Sequence, residues 1–224
     1  MTVSANKRTA SEFGVHAYFV EVIRDYLPGL NESSLNTLLD MYPIGEFKPA
    51  TNLSAEFYRS SRIFRDVLMV CPSLLLGEAV ARTQSTPVYH YSFNQTVVGP
   101  VLDRLDNVSG LRVGHTSEFA YVFDTFGAYN ASDLPVYPTE SDYALMQRAS
   151  GSWSSFATYG NPSCPGHDTL QGWNTAYDSG KGPYVMVIGG SHEGLTPAWG
   201  PVEEKLEERC GFLNNPAIIA ALGY

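Results

Sequence analysis

In the run Val113-Gly114-His115-Thr116-Ser117-Glu118-Phe119-Ala120-Tyr121-Val122-Phe123, a histidine stands between a loop-ending glycine and a short apolar segment. Thr116 and Ser117 carry hydroxyls suited to capping, and the spacing predicts a short helix over 118–123. A helix N-terminus disfavours imidazolium, so an imidazole held there stays neutral and available as a base near neutral pH. The plain alternative is a loop histidine with no chemical duty, and the run alone does not choose between them. His115-x-x-Glu118 spaces two ligands on one helical turn, but no third falls at a recognisable spacing, so no metal centre is expected.

Outward from this run, Val88-Tyr89-His90-Tyr91-Ser92-Phe93 alternates with period two and is rich in aromatics, which reads as a strand. Residues 94–114 form a long connection punctuated by Gly99-Pro100 and Ser109-Gly110. Upstream, apolar residues recur at helical spacing over 18–27, after Asn31, from Ser54 to Cys71-Pro72, and over 73–82. The first 17 residues are polar and patternless and read as an unstructured or aberrant start. Downstream, Thr139 can cap a long helix to about Tyr159, with Tyr143, Met146, Trp153 and Phe156 on its buried face and Gly151 as a weak point. Residues 161–182 read as loop, 184–188 as a short apolar strand ended by Gly189-Gly190, and 202–209 and 216–222 as terminal helices. Two strands do not make a stable sheet alone. The pattern therefore reads as the second half of a larger α/β fold, helix-rich with a few sheet strands.

Composition narrows the function. Of the 224 residues, 44% are hydrophobic and 17% charged, which excludes a disordered tail or a coiled coil. Fourteen Lys and Arg against 23 Asp and Glu give a net charge of −9, a poor match for phosphate backbones, so no nucleic-acid partner is expected. No apolar run is long enough to span a membrane. No Gly-rich phosphate loop or dinucleotide fingerprint is present, so no cofactor is expected. A G-x-S-x-G nucleophile elbow is also absent. The nearest string, Gly189-Gly190-Ser191-His192-Glu193-Gly194, has Glu where the strained turn needs its final Gly, so Ser191 is not read as a nucleophile. His16, His90, His167 and His192 are assigned to packing or solvent.

The central run resembles the G-x-x-H-x-x-E-x-x-Y-V-F stretch of type-B carboxylesterases, the group that includes cholinesterases and Geotrichum-type lipases. Other motifs follow in order. Cys71-Pro72-Ser73 with Ala79, then Val88 to Asn94, is similar to the segment leading into that family's V-Y-x-Y-x-F strand. Trp153, Phe156-Ala157 and Gly160-Asn161-Pro162 resemble its W-x-x-F-A-x-x-G-x-P, and Trp173 with Tyr177 its W-P-x-Y. Gly189-Gly190, Glu193-Gly194 and Glu208-Arg209-Cys210-Gly211-Phe212 most resemble secreted fungal members. The resemblance covers residues 18–224 and implies the C-terminal half of an α/β-hydrolase domain that cleaves carboxylic esters with a Ser-Glu/Asp-His triad.

By that resemblance His115 matches the catalytic histidine, and Glu118 matches a nearby glutamate with a structural role. The family's serine and oxyanion loop precede everything seen here, which implies an ester substrate only for a chain completed by an N-terminal half, and an inactive product alone. Glu12-Phe13-Gly14 lies at about the distance of the triad acid but has Phe where Gly is expected, so Glu12 reads as a solvated loop residue and the acid is not located. The alternatives are a non-catalytic binding or adhesion module, or the truncated product of an esterase gene.

Asn-x-Ser/Thr sequons at Asn31, Asn52, Asn94, Asn107 and Asn130 suggest a secreted glycoprotein, although 1–17 lacks the apolar core of a signal peptide. Three cysteines suit one bridge and one leftover thiol. Cys164, in a Pro/Gly loop, is expected to pair with Cys210, at the end of a terminal helix, leaving Cys71 free or bonded outside this segment. Three buried thiols are the alternative.

Overall fold

Four helices begin where the sequence offers a side-chain acceptor to an otherwise orphan N–H. Asn31 accepts from Ser34, Ser54 from Phe57, Thr139 from Asp142 and Asn215 from Ala217. The computed structural model describes residues 12–50, 52–131, 135–178, 182–199 and 205–223. These fall into two compact units, one helical (Met1–Ala79, Val108–Gly110, Pro201–Tyr224) and one built on a sheet (Val80–Asn107, Leu111–Gly200).

The helical unit contains α1 (Glu12–Tyr26), α2 (Glu32–Asp40), α3 (Ala55–Arg65), a π-helical segment Asp66–Val70, and the start of α4 (Cys71–Gln84). Ile23, Leu35, Leu38, Ile63, Val67 and Leu213 are its fully buried apolar side chains. Charge is buried with them. Arg209 is 1% exposed, lies 4.0 Å over the Tyr42 ring, and donates to Met41 O at 2.9 Å and to Glu46 at 2.8 Å. The Tyr42 hydroxyl donates to Asp66 at 2.9 Å; burial, then that carboxylate, pushes the phenol far above its ordinary value.

Three expectations change here. Residues 12–17 are helical, so α1 starts before the expected 18, His16 accompanies Glu56 at 2.7 Å, and Glu12 opens a helix instead of lying in a loop. Residues 1–11 lie outside the described residues. A break was expected between the helix from Ser54 and the one over 73–82; the wider π turn instead lets the chain run straight into α4, and Pro72 sits in the first turn of that helix as the sequence suggested, where it gives up an N–H that needs no partner. The disulfide joins Cys71 to Cys210, not Cys164 to Cys210. Cys71 opens α4 and Cys210 sits in α9 (Leu206–Leu213), which packs on the π-helical segment and holds the two Cα atoms 5.0 Å apart. Cys164 belongs to the sheet unit and is free. The chain closes with α10 (Pro216–Leu222).

In the sheet unit, β1 (His90–Phe93) runs parallel to β2 (Tyr184–Ile188), and β2 pairs antiparallel with β3 (Gly194–Pro197), in the order β1-β2-β3. α5 (Gly99–Leu105), α6 (Phe119–Val122) and α7 (Phe126–Ala131) interrupt the connections, and α8 (Glu140–Tyr159) is the long helix the Thr139 cap announced. Tyr121, Phe126, Leu145, Ala149, Leu170, Trp173, Met186 and Ile188 form the core. Gly151 is a requirement here, not a weak point: a Cβ would stand 2.0 Å from the Asp168 carbonyl oxygen, so only glycine admits the returning loop.

Candidate functional site

His115 rides on a turn that ends the connection leaving the carboxyl end of β1. The turn holds itself together. Ser117 N–H donates to Gly114 O at 3.2 Å, Gly114 N–H donates to Ser117 Oγ at 3.2 Å, and Phe119 N–H donates to Thr116 O at 3.2 Å. Thr116 adopts the left-handed region, φ 69°, and turns the chain after the histidine. The His115 side chain is exposed while Ser117 beneath it is buried. The expected helix over 118–123 is α6, only four residues long and starting at Phe119, so its few aligned peptides do not reach back to the imidazole.

Glu118 is half-buried. Burial, and then the Glu118 carboxylate, pushes the Tyr91 phenol of β1 above its ordinary value. The Glu118 carboxylate is thus near enough to act on Tyr91, while the His115 side chain three residues before it is exposed.

A polar cluster that sequence reasoning missed gathers around Asp142. Asp142, 7% exposed at the N-terminus of α8, accepts at Oδ1 from Gln95 Nε2 at 2.6 Å and from the Tyr121 hydroxyl at 2.7 Å. Its Oδ2 accepts from Thr139 N–H at 2.8 Å and Thr139 Oγ1 at 2.6 Å, completing a capping box. Burial would raise the Asp142 carboxyl, but the bonds from Thr139, Gln95 and Tyr121 outweigh it and hold the group below its ordinary value. Tyr121 shifts the other way, far upward, through burial and then its bond to that carboxylate. Thr139-x-x-Asp142 was the one legible signal of this cluster. Gln95 and Tyr121 carry none.

The other histidines are placed elsewhere. His90 Nε2 meets the Tyr177 hydroxyl at 3.0 Å, and burial lowers its pKa. His192 Nδ1 lies 3.0 Å from Ser191 Oγ on the exposed loop after β2, but Glu193 is taken by Arg148 and by Gly189 N–H. A groove of about 790 Å³ runs past Tyr89, Trp173 and Tyr184, and a cavity of about 270 Å³ lies by Val97, Val101 and Tyr137; neither is lined by His115. Among the described residues, no three His, Cys, Asp or Glu side chains gather to hold a metal, and no helix is long and apolar enough to cross a membrane.

The model of the carboxylesterase family matches residues 2–198. The chain belongs to the carboxylesterase family. A secreted lipase of Arthroderma benhamiae is 37% identical over 91% of this chain and 36% of its own length. An inactive carboxylesterase-like protein of Byssochlamys spectabilis, VdtD, is 27% identical over 96% of this chain and 37% of its own length. The chain thus spans little more than a third of the length of these two curated relatives. The crystal structure of Aspergillus niger EstA matches 99% of this chain and 39% of its own, with a TM-score of 0.67 at 20% identity. The fold is that of an α/β-hydrolase esterase.

Proposed function

We propose that this chain is the histidine-bearing C-terminal part of a serine-type carboxylic ester hydrolase, and that His115 is its general base. The observation that carries the reading is an exposed histidine on the connection from the carboxyl end of a parallel strand, where α/β folds place their chemistry, in a chain of the carboxylesterase family. His115 takes the proton from the attacking serine hydroxyl and returns it to the leaving alcohol, then serves again when water attacks the acyl-enzyme. The serine, its oxyanion donors and the triad acid come from the remainder of a polypeptide of full family length. β1 pairs only with β2 among the described residues, so its other edge is free to receive a strand from that remainder. Without the serine no acyl-enzyme forms, and the 224-residue chain alone is inactive. The setting is extracellular: a relative is named as secreted, and all five sequon asparagines are exposed, ready to carry glycan.

The test compares hydrolysis of short acyl esters by this chain and by the polypeptide of full family length. Turnover is expected only from the longer one, and His115→Ala there should lower kcat by about 10³-fold or more. Phosphonate-sensitive turnover by the short chain, or near-normal turnover by His115→Ala, overturns the reading. A second reading, a binding module without catalysis, draws on the name of VdtD as inactive. It is favoured if the longer polypeptide is stable, lacks turnover and does not react with phosphonate.

A further inference from the structure

We propose that Asp142 is a positioning residue for His115, closing the segment that carries it with a single carboxylate oxygen. This rests on the hydrolase reading for its purpose, though not for its geometry. The segment leaves the sheet just after Phe93 and is anchored again where α6 packs on α8. Gln95 stands at its start and Tyr121 near its end. Both donate to the same Asp142 Oδ1, at 2.6 and 2.7 Å. His115 lies between them on a turn whose hydrogen bonds run within residues 114–119. Upstream of it Val97 and Val101 enter the core and Arg104 donates to Pro135 O, so the clamp adds to those anchors, and Tyr121 is the buried tie that follows the histidine.

The clamp suits positioning for three reasons. Tyr121 is fully buried and Asp142 nearly so, which keeps water from competing for the carboxylate. Among the described residues the donors to Asp142 are all neutral, and neutral donors hold through direction and distance more than through long-range charge. Gln95 also accepts through Oε1 from Gly190 N–H at 3.3 Å, which ties the clamp to the exit of β2. The two oxygens divide the labour: Oδ1 holds the histidine segment and Oδ2 caps α8.

That division makes the test. In the polypeptide of full family length, hydrolysis of p-nitrophenyl butyrate is measured for Tyr121→Phe with Gln95→Met, for Asp142→Asn and for Thr139→Ala. The double variant should lower kcat by about 10²-fold with KM within about twofold, because a histidine displaced by an ångström loses its alignment while substrate binding persists. Asp142→Asn keeps an oxygen for the clamp and should recover most of that loss. Thr139→Ala should lower Tm yet leave kcat within about threefold. A double variant with kcat within twofold of the parent, or a Thr139→Ala as slow as the double variant, overturns the proposal. If His115→Ala itself keeps full turnover, the hydrolase reading fails and a second readout decides. In the 224-residue chain labelled with ¹³C-histidine, the His115 ring resonance should move or broaden in the double variant while those of His167 and His192 stay. An unmoved His115 resonance in a variant that keeps parental tryptophan fluorescence overturns the clamp.

Discussion

The helical unit buries Glu56, Arg59, Asp66 and Arg209, and each has an opposite charge within reach: Arg59 with Glu56 at 3.4 Å, Asp66 with Arg65 at 2.6 Å, and Arg209 with Glu46 at 2.8 Å. The sheet unit buries Asp142, and among the described residues only neutral groups donate to it. One unit matches charge with charge; the other surrounds a charge with dipoles. The difference predicts how each unit fails. Removing one member of a matched set leaves a partner charged and stranded, whereas removing one dipole leaves a carboxylate still held by the rest.

The largest break should come from Arg209→Met. Met41 O loses its donor and Glu46 keeps only Lys205, so the helical unit should lose about 3 kcal/mol, read as a lower urea midpoint in far-UV circular dichroism. Unchanged stability would mean that the buried charges are not cooperating. Next comes Gly151→Ala, which drives a methyl group into the Asp168 carbonyl and should cost about 2–3 kcal/mol. Trp153, Trp173 and Trp199 all belong to the sheet unit, so tryptophan fluorescence follows this loss without interference.

Acid sharpens the contrast. The Asp142 carboxyl is held below its unfolded value, so its contribution is fully present above about pH 4 and fades as pH falls through the folded value. The tryptophan-reported midpoint should therefore drop in acid, and Asp142→Asn should flatten that drop; an equal drop in the variant would move the cause elsewhere. Smallest of all is His115→Ala, expected to shift either midpoint by less than about 0.5 kcal/mol because the side chain is exposed. A large loss of stability would reassign His115 to packing.

Sequence reasoning reached the elements with long periodic faces and lost those defined by partners. The core of α1, the caps of α2 and α8, and β2 were legible because their apolar spacing or capping residue is local. The family followed from motifs in order, and with it the α/β-hydrolase fold. β3 was missed because Gly194-Leu195-Thr196-Pro197 has no apolar face of its own and becomes a strand only against β2. α5 hid behind Gly99-Pro100, which looks like punctuation but lies in the helix's first turn. The Asp142 clamp joins residues 47 and 21 positions apart, and nothing local marks Gln95 or Tyr121 for it.

The bridge from Cys71 to Cys210 spans 139 positions, and every residue of the sheet unit falls between the two cysteines. Residues 71–210 are therefore closed into a covalent ring, and the whole sheet unit is part of it. A protease that nicks the ring once releases nothing. The nicked protein should migrate as one species on a non-reducing gel and part into two after dithiothreitol, so a single cut within the sheet unit would leave His115 still tethered to the helices.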